Sequence, residues 1–394
     1  MLRLVNTTQD YAWGSPTAIP DLLGTEPSGR PAAELWLGAH PSAPSRAGGV
    51  PLDALIARDP ASALGRGVVA RFGAALPYLL KVLAAEQPLS LQVHPTIEQA
   101  RAGFAAEEAA GIPLSAPDRN YKDRNHKPEM ILALTPFDVL CGFRRALEAA
   151  ELLSGLEAPL ARDLAMILRS QSGPEAIPAA VRRLLDEDLC PSAAEVEEVA
   201  GACRARLAGG SPEPGADRTV VSLAEAYPGD PGVVTSLLLN QLTLEPGEAM
   251  FVPAGAVHAY QHGVGVEIMA SSDNVLRAGL TTKHMDIPEL LATIAYAAGP
   301  PARVIPEPVS AATQVFRAPV ADFVLSITTV DDDGEQPVPG SGPRILLCLD
   351  GEVTVVTGFG QVETVARGGS VFVPHADGAL TVTGHGRVVQ ADVP

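Results

Sequence analysis

Leu244-Glu-Pro-Gly-Glu-Ala-Met-Phe-Val-Pro253 has a counterpart near the end of the chain, Val365-Ala-Arg-Gly-Gly-Ser-Val-Phe-Val-Pro374. In each stretch a turn glycine, Gly247 or Gly368, precedes a short apolar run that ends in Phe-Val-Pro at the same separation. Short strands joined by such turns are typical of β-barrels and sandwiches. The repeat therefore predicts two related β-barrels within one chain.

The register of the repeat distinguishes the two copies chemically. His258 follows the first copy, and Ala379 occupies the same place after the second. An imidazole binds metal ions and an alanine methyl group does not. We therefore expect the polar ligand in the first barrel alone.

Residues 146–217 differ in composition from the chain on either side. Leu, Ala, Glu and Arg dominate, and apolar residues recur at three- and four-residue spacings, which predicts amphipathic helices. The Gly- and Pro-rich run at 209–215 has the composition of a linker. We therefore predict a mainly β chain in which residues 1–145 and 218–300 form one barrel, 146–217 a helical insert and 301–394 the second barrel.

Local patterns predict further elements within these units. Alternation predicts strands at 78–83 and 89–93, and strand character returns at 235–244. Residues 96–110 are expected to form a helix capped by Thr96, and residues 287–298 a second one.

Charge and composition restrict the partners of the protein. The 394 residues carry 28 basic against 46 acidic side chains, a net charge of −18 that repels nucleic acids and anionic membranes. An anionic substrate must therefore meet locally placed Lys or Arg. The four cysteines are widely spaced, no secretory signal is evident, and no apolar run approaches the roughly 20 residues that span a bilayer. We expect a cytoplasmic protein without disulfides.

Two motifs contain side chains that bind metals. Gln92 and His94 lie two residues apart in a strand pattern and so share one face, and Asn125-His-Lys-Pro-Glu129 leads into an apolar run. His258 follows a Pro-x-Gly turn. Zinc favours nitrogen and oxygen ligands, and a set that leaves one position open is typical of catalytic zinc. These residues therefore predict a zinc site inside the barrel.

Each feature also has a plainer interpretation. His94 alone fits a hydrogen-bonded structural histidine, glutamine is an uncommon zinc ligand, and Lys127 with Glu129 fits an exposed ion pair. Five other histidines are interpreted as turn or surface residues: His40, His262, His284, His375 and His385.

A third cluster, residues 267–283, holds Arg277 and Lys283 in a chain short of cations. An arginine beside a metal binds a phosphate through two hydrogen bonds or stabilises an oxyanion. The alternative is an exposed loop with two surface cations.

These residues resemble a known family, the type I mannose-6-phosphate isomerases. The resemblance rests on seven segments in the family's order: Tyr11-Ala-Trp-Gly14, Glu34-Leu-Trp-Leu-Gly-Ala-His-Pro41, Leu80-Lys-Val-Leu83, Leu89-Ser-Leu-Gln-Val-His-Pro95, Tyr121-Lys-Asp-Arg-Asn-His-Lys-Pro-Glu129, Pro253-Ala-Gly-Ala-Val-His258 and Asp273-Asn-Val-Leu-Arg-Ala-Gly-Leu-Thr-Thr-Lys283. Two positions depart from the family pattern. Arg124 and Thr282 each replace a proline, and Arg124 adds a charge close to the site.

The resemblance implies two cupin-type (jelly-roll) β-barrels plus an α-helical domain inserted in the catalytic one. It implies one Zn²⁺ per chain, interconversion of mannose 6-phosphate and fructose 6-phosphate, and an active-site arginine at Arg277. The family's metal ligands correspond to the set chosen above on chemical grounds, which is Gln92, His94, Glu129 and His258.

Aldose–ketose isomerisation moves a proton between C1 and C2 through a cis-enediol, so a base is required. Glu267 and Lys127 are the candidates, with His126 a weaker one. Three cations are candidates for binding the phosphate, with Ser90 as a neutral donor: Lys283, Lys81 and Arg277. We expect a monomer whose partner is a small-molecule sugar phosphate.

Three other functions fit parts of the pattern. A cupin isomerase acting on another phosphorylated sugar would need the same residues. A cupin dioxygenase more often uses iron held by two histidines and one carboxylate. A sugar-binding protein without activity would not require the four ligands and the arginine together.

Overall fold

Antiparallel strands form two large sheets in the computed structural model, which describes residues 1–170, 173–331 and 334–394. The strands are β1 Leu2–Arg3, β2 Thr7–Gln9, β3 Glu34–Gly38, β4 Arg46–Ala47, β5 Val50–Pro51, β6 Tyr78–Ala85, β7 Gln92–Val93, β8 Glu129–Ala133, β9 Phe137–Phe143, β10 Leu239–Leu244, β11 Ala249–Val252, β12 His258–Ala270, β13 Leu276–Arg277, β14 Ala302–Val304, β15 Glu307–Pro308, β16 Thr313–Phe316, β17 Val324–Val330, β18 Gln336–Val338, β19 Arg344–Thr357, β20 Val362–Ala366, β21 Ser370–Val373 and β22 Leu380–Asp392.

The helices lie before and between the strands of the first sheet. They are α1 Ala18–Leu23, α2 Leu52–Arg58, α3 Pro60–Leu64, α4 Arg66–Phe72, α5 Ile97–Ala109, α6 Ala146–Ser154, α7 Pro159–Ser170, α8 Ala176–Leu185, α9 Ala193–Gly209, α10 Pro214–Ala226, α11 Gly232–Thr235 and α12 Ile287–Thr293. Single 3₁₀ turns occur at Gly173–Glu175, Ser236–Leu238 and His375–Asp377. None of the helices within the described ranges has the length and apolar character needed to cross a bilayer.

The repeat seen in the sequence corresponds to matching strands in the two sheets. Gly247 and Gly368 both adopt the left-handed conformation, with φ of 90° and 75°, and each turn leads into a four-residue strand, β11 or β21. A 13-residue strand follows in both cases, β12 in the first sheet and β22 in the second. The prediction of a mainly β, cupin-type fold with a helical domain is confirmed.

The helical segment is longer than the sequence indicated. The Gly- and Pro-rich run at 209–215 forms the turn between α9 and α10 and is not a linker between domains. Gly210 ends α9 with a φ of 93°, and Pro214 begins α10. Helices continue to Thr235, past the expected end at residue 217, and a 3₁₀ turn occupies the start of the strand expected at 235–244. We therefore propose that the insert extends from 146 to 238.

The outer boundaries of the barrels also differ from those expected. β1 pairs with β21, so the first residues of the chain belong to the second sheet. β14 pairs with β11, so the first sheet extends past residue 300. An apolar cluster formed by side chains of both sheets, among them Met130, Ile268, Phe372 and Val389, joins the two barrels.

One of three predicted local elements forms as expected, and two are shorter than their patterns indicate. The helix at α5 forms as predicted, and Thr96 and Gln99 complete a capping box at its start. The strand expected at 89–93 shortens to β7, because the Leu89 and Leu91 amides donate to carbonyls of Tyr260 and Gly279 outside a regular ladder. The helix expected at 287–298 ends at Thr293.

Candidate active site

Polar side chains converge inside the first barrel from five of its strands and their flanking residues. They line a cavity of about 50 Å³. Its walls are formed by Glu34, Lys81, Leu83, Leu89, Ser90, Gln92, Lys127, Glu129, His258, Ala259, Tyr260 and Glu267. The surrounding sheet is apolar, with Ile131, Val139 and Val252 among the buried neighbours. A polar cluster therefore lies at the centre of a hydrophobic barrel.

His94, Glu129 and His258 form the centre of this cluster. The Nε2 atom of His94 lies 3.3 Å from Glu129 Oε1, and the Nε2 atom of His258 lies 3.3 Å from Glu129 Oε2. All three side chains are buried, and their ligand atoms lie within 4.8 Å of one another. Gln92 lies on the wall of the same cavity, where its Nε2 donates to Ser90 Oγ at 3.2 Å and leaves Oε1 as the donor atom for a metal.

Backbone carbonyls fix the orientation of both imidazoles. His94 Nδ1 lies 2.8 Å from the carbonyl oxygen of Asn274, and His258 Nδ1 lies 3.0 Å from that of Ala256. A carbonyl only accepts, so each Nδ1 carries the proton and each Nε2 offers a lone pair to the cavity.

The residues present fit a zinc ion. The buried His94 Nε2 makes no hydrogen bond among the described residues, as expected of an atom that ligates a metal. Burial lowers the pKa of His94 to about 4, which keeps the imidazole neutral. Burial alone would raise the pKa of Glu129, but Lys127 and the two histidines outweigh it and hold that pKa well below its usual range. Two neutral imidazoles and a carboxylate are ligands that zinc prefers.

Lys127 belongs to the same buried cluster. Its Nζ lies 3.2 Å from Glu129 Oε1, and both side chains are buried. The interpretation of these two residues as an exposed ion pair is therefore wrong.

A second buried ion pair lies beside the first. Lys81 Nζ donates to Glu267 Oε2 at 3.0 Å and lies 3.7 Å from Glu34 Oε2, which also accepts from Trp36 Nε1 at 2.6 Å. Burial alone would lower the pKa of Lys81, but the two carboxylates outweigh it and raise that pKa. Burial raises the pKa of Glu267, and Lys81 offsets part of this. Lys81 is thus a fixed cation within reach of a basic carboxylate.

The small cavity shares six residues with a larger cleft of about 600 Å³ above it: Glu34, Lys81, Leu89, Ser90, Gln92 and Lys127. Arg277 and Lys283 line this cleft. The loop that contains them, for which a plain surface loop was the alternative, therefore forms a wall of the cleft. β13 places Arg277 opposite Gln92 in β7. Leu280 lies in the loop between Arg277 and Lys283. It is a non-glycine residue with a φ of 56°, a strained conformation that is typical of functional sites.

Two residues considered from the sequence point away from the cavity. His126 Nε2 lies 3.1 Å from Asp322 Oδ1, on the side of the second barrel. Arg124 is exposed, and its guanidinium lies 5.1 Å from the centre of the Phe104 ring. Neither side chain lines the small cavity or the cleft.

Several residues of the site, or in contact with its walls, were not predicted from the sequence. His40, interpreted as a surface or turn residue, is buried, and its Nε2 lies 3.5 Å from Asp273 Oδ1. Glu34 and Trp36 could have been found, because they alternate with Leu35 and Leu37 and so share one face of β3. Asn274 carried no local signal, since its carbonyl reaches His94 only in the folded chain.

Comparison with known proteins identifies the family. Residues 1–146 match the model of the type I phosphomannose isomerase catalytic domain. The chain is 42% identical over 397 residues to the mannose-6-phosphate isomerase of Escherichia coli, and the match covers 99% of each chain. The chain belongs to the type I mannose-6-phosphate isomerases.

More distant members and solved structures agree with this assignment. The chain is 35% identical to the mannose-6-phosphate isomerase of Bos taurus, with 93% of this chain and 91% of the relative covered. It is similar to a zinc-bound crystal structure of a mannose 6-phosphate isomerase, with a TM-score of 0.89, 38% identity and coverage of 100% and 99%. The apo enzyme of Salmonella typhimurium gives a TM-score of 0.90 at the same identity and coverage.

Proposed function

We propose that this chain is a zinc-dependent aldose–ketose isomerase that interconverts mannose 6-phosphate and fructose 6-phosphate through a cis-enediol. The observation that carries the proposal is the convergence of His94, Glu129 and His258 beside the Lys81–Glu267 pair, inside the barrel of a type I isomerase. Gln92 completes the proposed ligand set. When bound there, zinc supplies Lewis-acid stabilisation of negative charge on a sugar oxygen.

We propose that Arg277 and Lys283 bind the anionic sugar phosphate. Both line the cleft, where partial burial lowers the pKa of each. In a chain with a net charge of −18, two neighbouring cations without an ion-pair partner among the described residues favour a phosphate. Ser90 lines the same cleft and supplies a hydroxyl. The pairing of Arg277 with Gln92 also supports a role for this guanidinium in stabilising charge on the enediol.

We propose that Glu267 is the base. Its raised pKa suits a group that accepts and returns a proton near neutrality, and Lys81 holds one carboxylate oxygen in place. Lys127 is the other candidate, but its ammonium group is already paired with Glu129. The ammonium group of Lys81 is likewise paired, with Glu267, so we propose that Lys81 orients this carboxylate. The contact of Lys81 with the phosphate remains a prediction.

Metal analysis and a coupled assay test the function directly. The purified chain is expected to contain one zinc ion and to convert mannose 6-phosphate. Exhaustive chelation should abolish turnover, and added zinc should restore it. Full activity in zinc-free protein would contradict the metal mechanism, and bound iron without isomerisation would favour a different cupin reaction.

The base is tested by exchange of the substrate's C1 and C2 hydrogens with deuterium oxide. Glu267→Gln should reduce exchange by about 10³-fold or more while zinc content is unchanged, since general-base catalysis contributes roughly 10²–10⁴-fold. Lys127→Gln should retain measurable exchange. The reverse ranking of the two variants would assign the base to Lys127.

Three further proposals come from the sequence. We propose a monomer, which sedimentation equilibrium would check. We propose a cytoplasmic location, which cell fractionation would check. We propose the division into a discontinuous catalytic barrel, a helical insert and a second barrel, which limited proteolysis would check.

A further inference from the structure

A second large cavity lies outside the catalytic cleft. Its volume is about 1010 Å³, against about 600 Å³ for the cleft. Residues of α2, α4 and α5 line it, together with the loops around residues 39–42, 74–77 and 122–125. Nothing in the proposed isomerisation uses this cavity.

The cavity is basic in a protein that is otherwise acidic. Its walls carry four cations and three carboxylates, namely Arg71, Arg101, Lys122, Arg124, Asp53, Asp123 and Asp273. The whole chain, by contrast, has 28 cations and 46 acids. A local excess of positive charge against this background concentrates anions at the cavity.

Two of the three carboxylates are already engaged by hydrogen-bond donors. Asp123 accepts from Ser272 Oγ at 2.9 Å and from the Asp273 amide at 2.7 Å. Asp273 accepts from Ser42 Oγ at 3.3 Å. Asp53 has one carboxylate oxygen buried from solvent. The three carboxylates hold the wall together, and against four cations they leave an excess of one positive charge.

The three arginines are unpaired. Arg71 and Arg124 contact the rings of Phe72 and Phe104, and among the described residues none of the three, Arg101 included, forms an ion pair. Lys122 is held in the wall, where its Nζ donates to the carbonyls of Leu114 and Ala116. Three guanidinium groups, each with its donors available, thus surround one cavity.

Hydrogen bonds hold together the wall between the cavity and the active site. Asp273 lines both spaces, and Asp123 lies on the cavity side. Asn274 is fully buried behind them, where its side chain accepts from the Lys122 amide at 2.7 Å and donates to the Asn125 carbonyl at 2.8 Å. The two spaces are therefore separate binding volumes that share one hydrogen-bonded wall.

We propose that the basic cavity binds an organic phosphate with at least two phosphate groups, at the same time as substrate occupies the cleft. Guanidinium groups bind phosphate oxygens through paired hydrogen bonds, and three of them suit more than one phosphate. The cavity volume suits a ligand larger than a hexose monophosphate.

Calorimetry on the zinc-loaded enzyme tests the proposal. Glucose 1,6-bisphosphate serves as the probe and glucose as its uncharged control, both titrated in saturating fructose 6-phosphate so that the catalytic cleft is filled. The bisphosphate should bind with a stoichiometry of one, and glucose should not bind. The variant R71A/R101A/R124A should bind the bisphosphate at least about tenfold more weakly, because each lost guanidinium removes charge-assisted hydrogen bonds.

A matched control removes the same charge elsewhere. The variant R58A/R66A/R204A takes away three exposed arginines that do not line the cavity, and its affinity should stay within about twofold of wild type. If both triple variants bound the bisphosphate equally weakly, the loss of affinity would be due to net charge alone, and the proposal would be overturned. Absent binding to the wild type, or binding that saturating substrate abolishes, would also overturn it.

Folding and turnover are measured on every variant. If R71A/R101A/R124A does not fold, the single variants Arg71→Gln, Arg101→Gln and Arg124→Gln are titrated instead, and unchanged affinity in all three would overturn the proposal. The measurement reports binding of the bisphosphate to the basic cavity while substrate fills the catalytic cleft. Its outcome therefore does not depend on which residue is the catalytic base.

Discussion

The two barrels share strands and register, but they differ in what fills them. β11 and β12 of the first barrel match β21 and β22 of the second in length and order. The first encloses the polar cluster around Glu129, whereas the second is filled mainly by valine side chains, such as Val353, Val355, Val371 and Val382. The strands provide the scaffold, and a few inward-facing side chains decide whether it binds a metal.

Corresponding positions make the difference specific. Glu129 pairs with Val252 in the first barrel, and Arg344 pairs with Val373, the matching residue of the repeat, in the second. His258 likewise corresponds to Ala379. The second barrel therefore has an alanine in place of one ligand and a cation in place of the carboxylate.

Arg344 has a structural role that Glu129 does not have. Its guanidinium is fully buried and donates to the carbonyls of Gly340 and Gly378. The nearby Asp392 is largely buried, which raises the pKa of Asp392 to about 6. Buried charge thus serves metal binding in one barrel and ties loops together in the other.

The largest expected effect is the loss of the ligand that only the first barrel has. His258→Ala should remove most of the zinc and lower kcat/KM by about 10³-fold or more, which corresponds to the several kcal/mol that a Lewis acid contributes. Zinc content by atomic absorption and a coupled assay measure both. His262→Ala is the control, because His262 is exposed on the same strand. Normal zinc content in His258→Ala would remove this residue from the ligand set.

The next effect is on stability and belongs to the second barrel. Arg344→Ala should lower the free energy of unfolding by about 3 kcal/mol, because the carbonyls of Gly340 and Gly378 lose their donor and the buried Asp392 loses a nearby positive charge. Denaturant titration gives this value. Zinc content and kcat should remain within about twofold of wild type. A loss of zinc here would show that the second barrel is part of the metal site.

A third variant tests how the first barrel orients its ligand. Asn274→Ala removes the side-chain bonds that hold the loop whose carbonyl accepts from His94 Nδ1. Zinc affinity, measured by competition with a chelator, should fall by about 10–100-fold. Asn6→Ala is the matched control, since Asn6 donates to Ser370 Oγ of the second barrel. Equal zinc affinity in the two variants would contradict the orienting role.

The same contrast explains how much of the molecule was predictable. Both barrels were predictable from the repeat, because turn glycines such as Gly247 and Gly368 and alternating strands are local signals. The triad of His94, Glu129 and His258 was predictable from residue type and from resemblance, since few residue types bind metals. The convergence of Gln92 and Glu129 on one cavity needed the folded sheet.

Other features depend on contacts between distant segments and left no local signal. Asn274 acts through a partner far away in sequence, because its carbonyl accepts from His94. The helical insert was predicted too short because Gly and Pro mark a turn between helices as readily as a linker between domains. The pairing of β1 with β21 depends on a sheet edge that forms at the other end of the chain.

The smallest effect is expected at Gly247, one of the two turn glycines of the repeat, which have the same conformation and different surroundings. A Cβ at Gly247 would meet nothing within 4 Å, so Gly247→Ala should cost only the left-handed strain of about 1 kcal/mol. A Cβ at Gly368 would lie 2.5 Å from the Leu22 carbonyl oxygen of α1, and overpacking should raise the cost to about 3 kcal/mol. Denaturant titration of the two variants, with zinc bound, measures the difference. Equal costs would mean that α1 moves aside freely, and that the second barrel is held less tightly by its neighbours than the packing indicates.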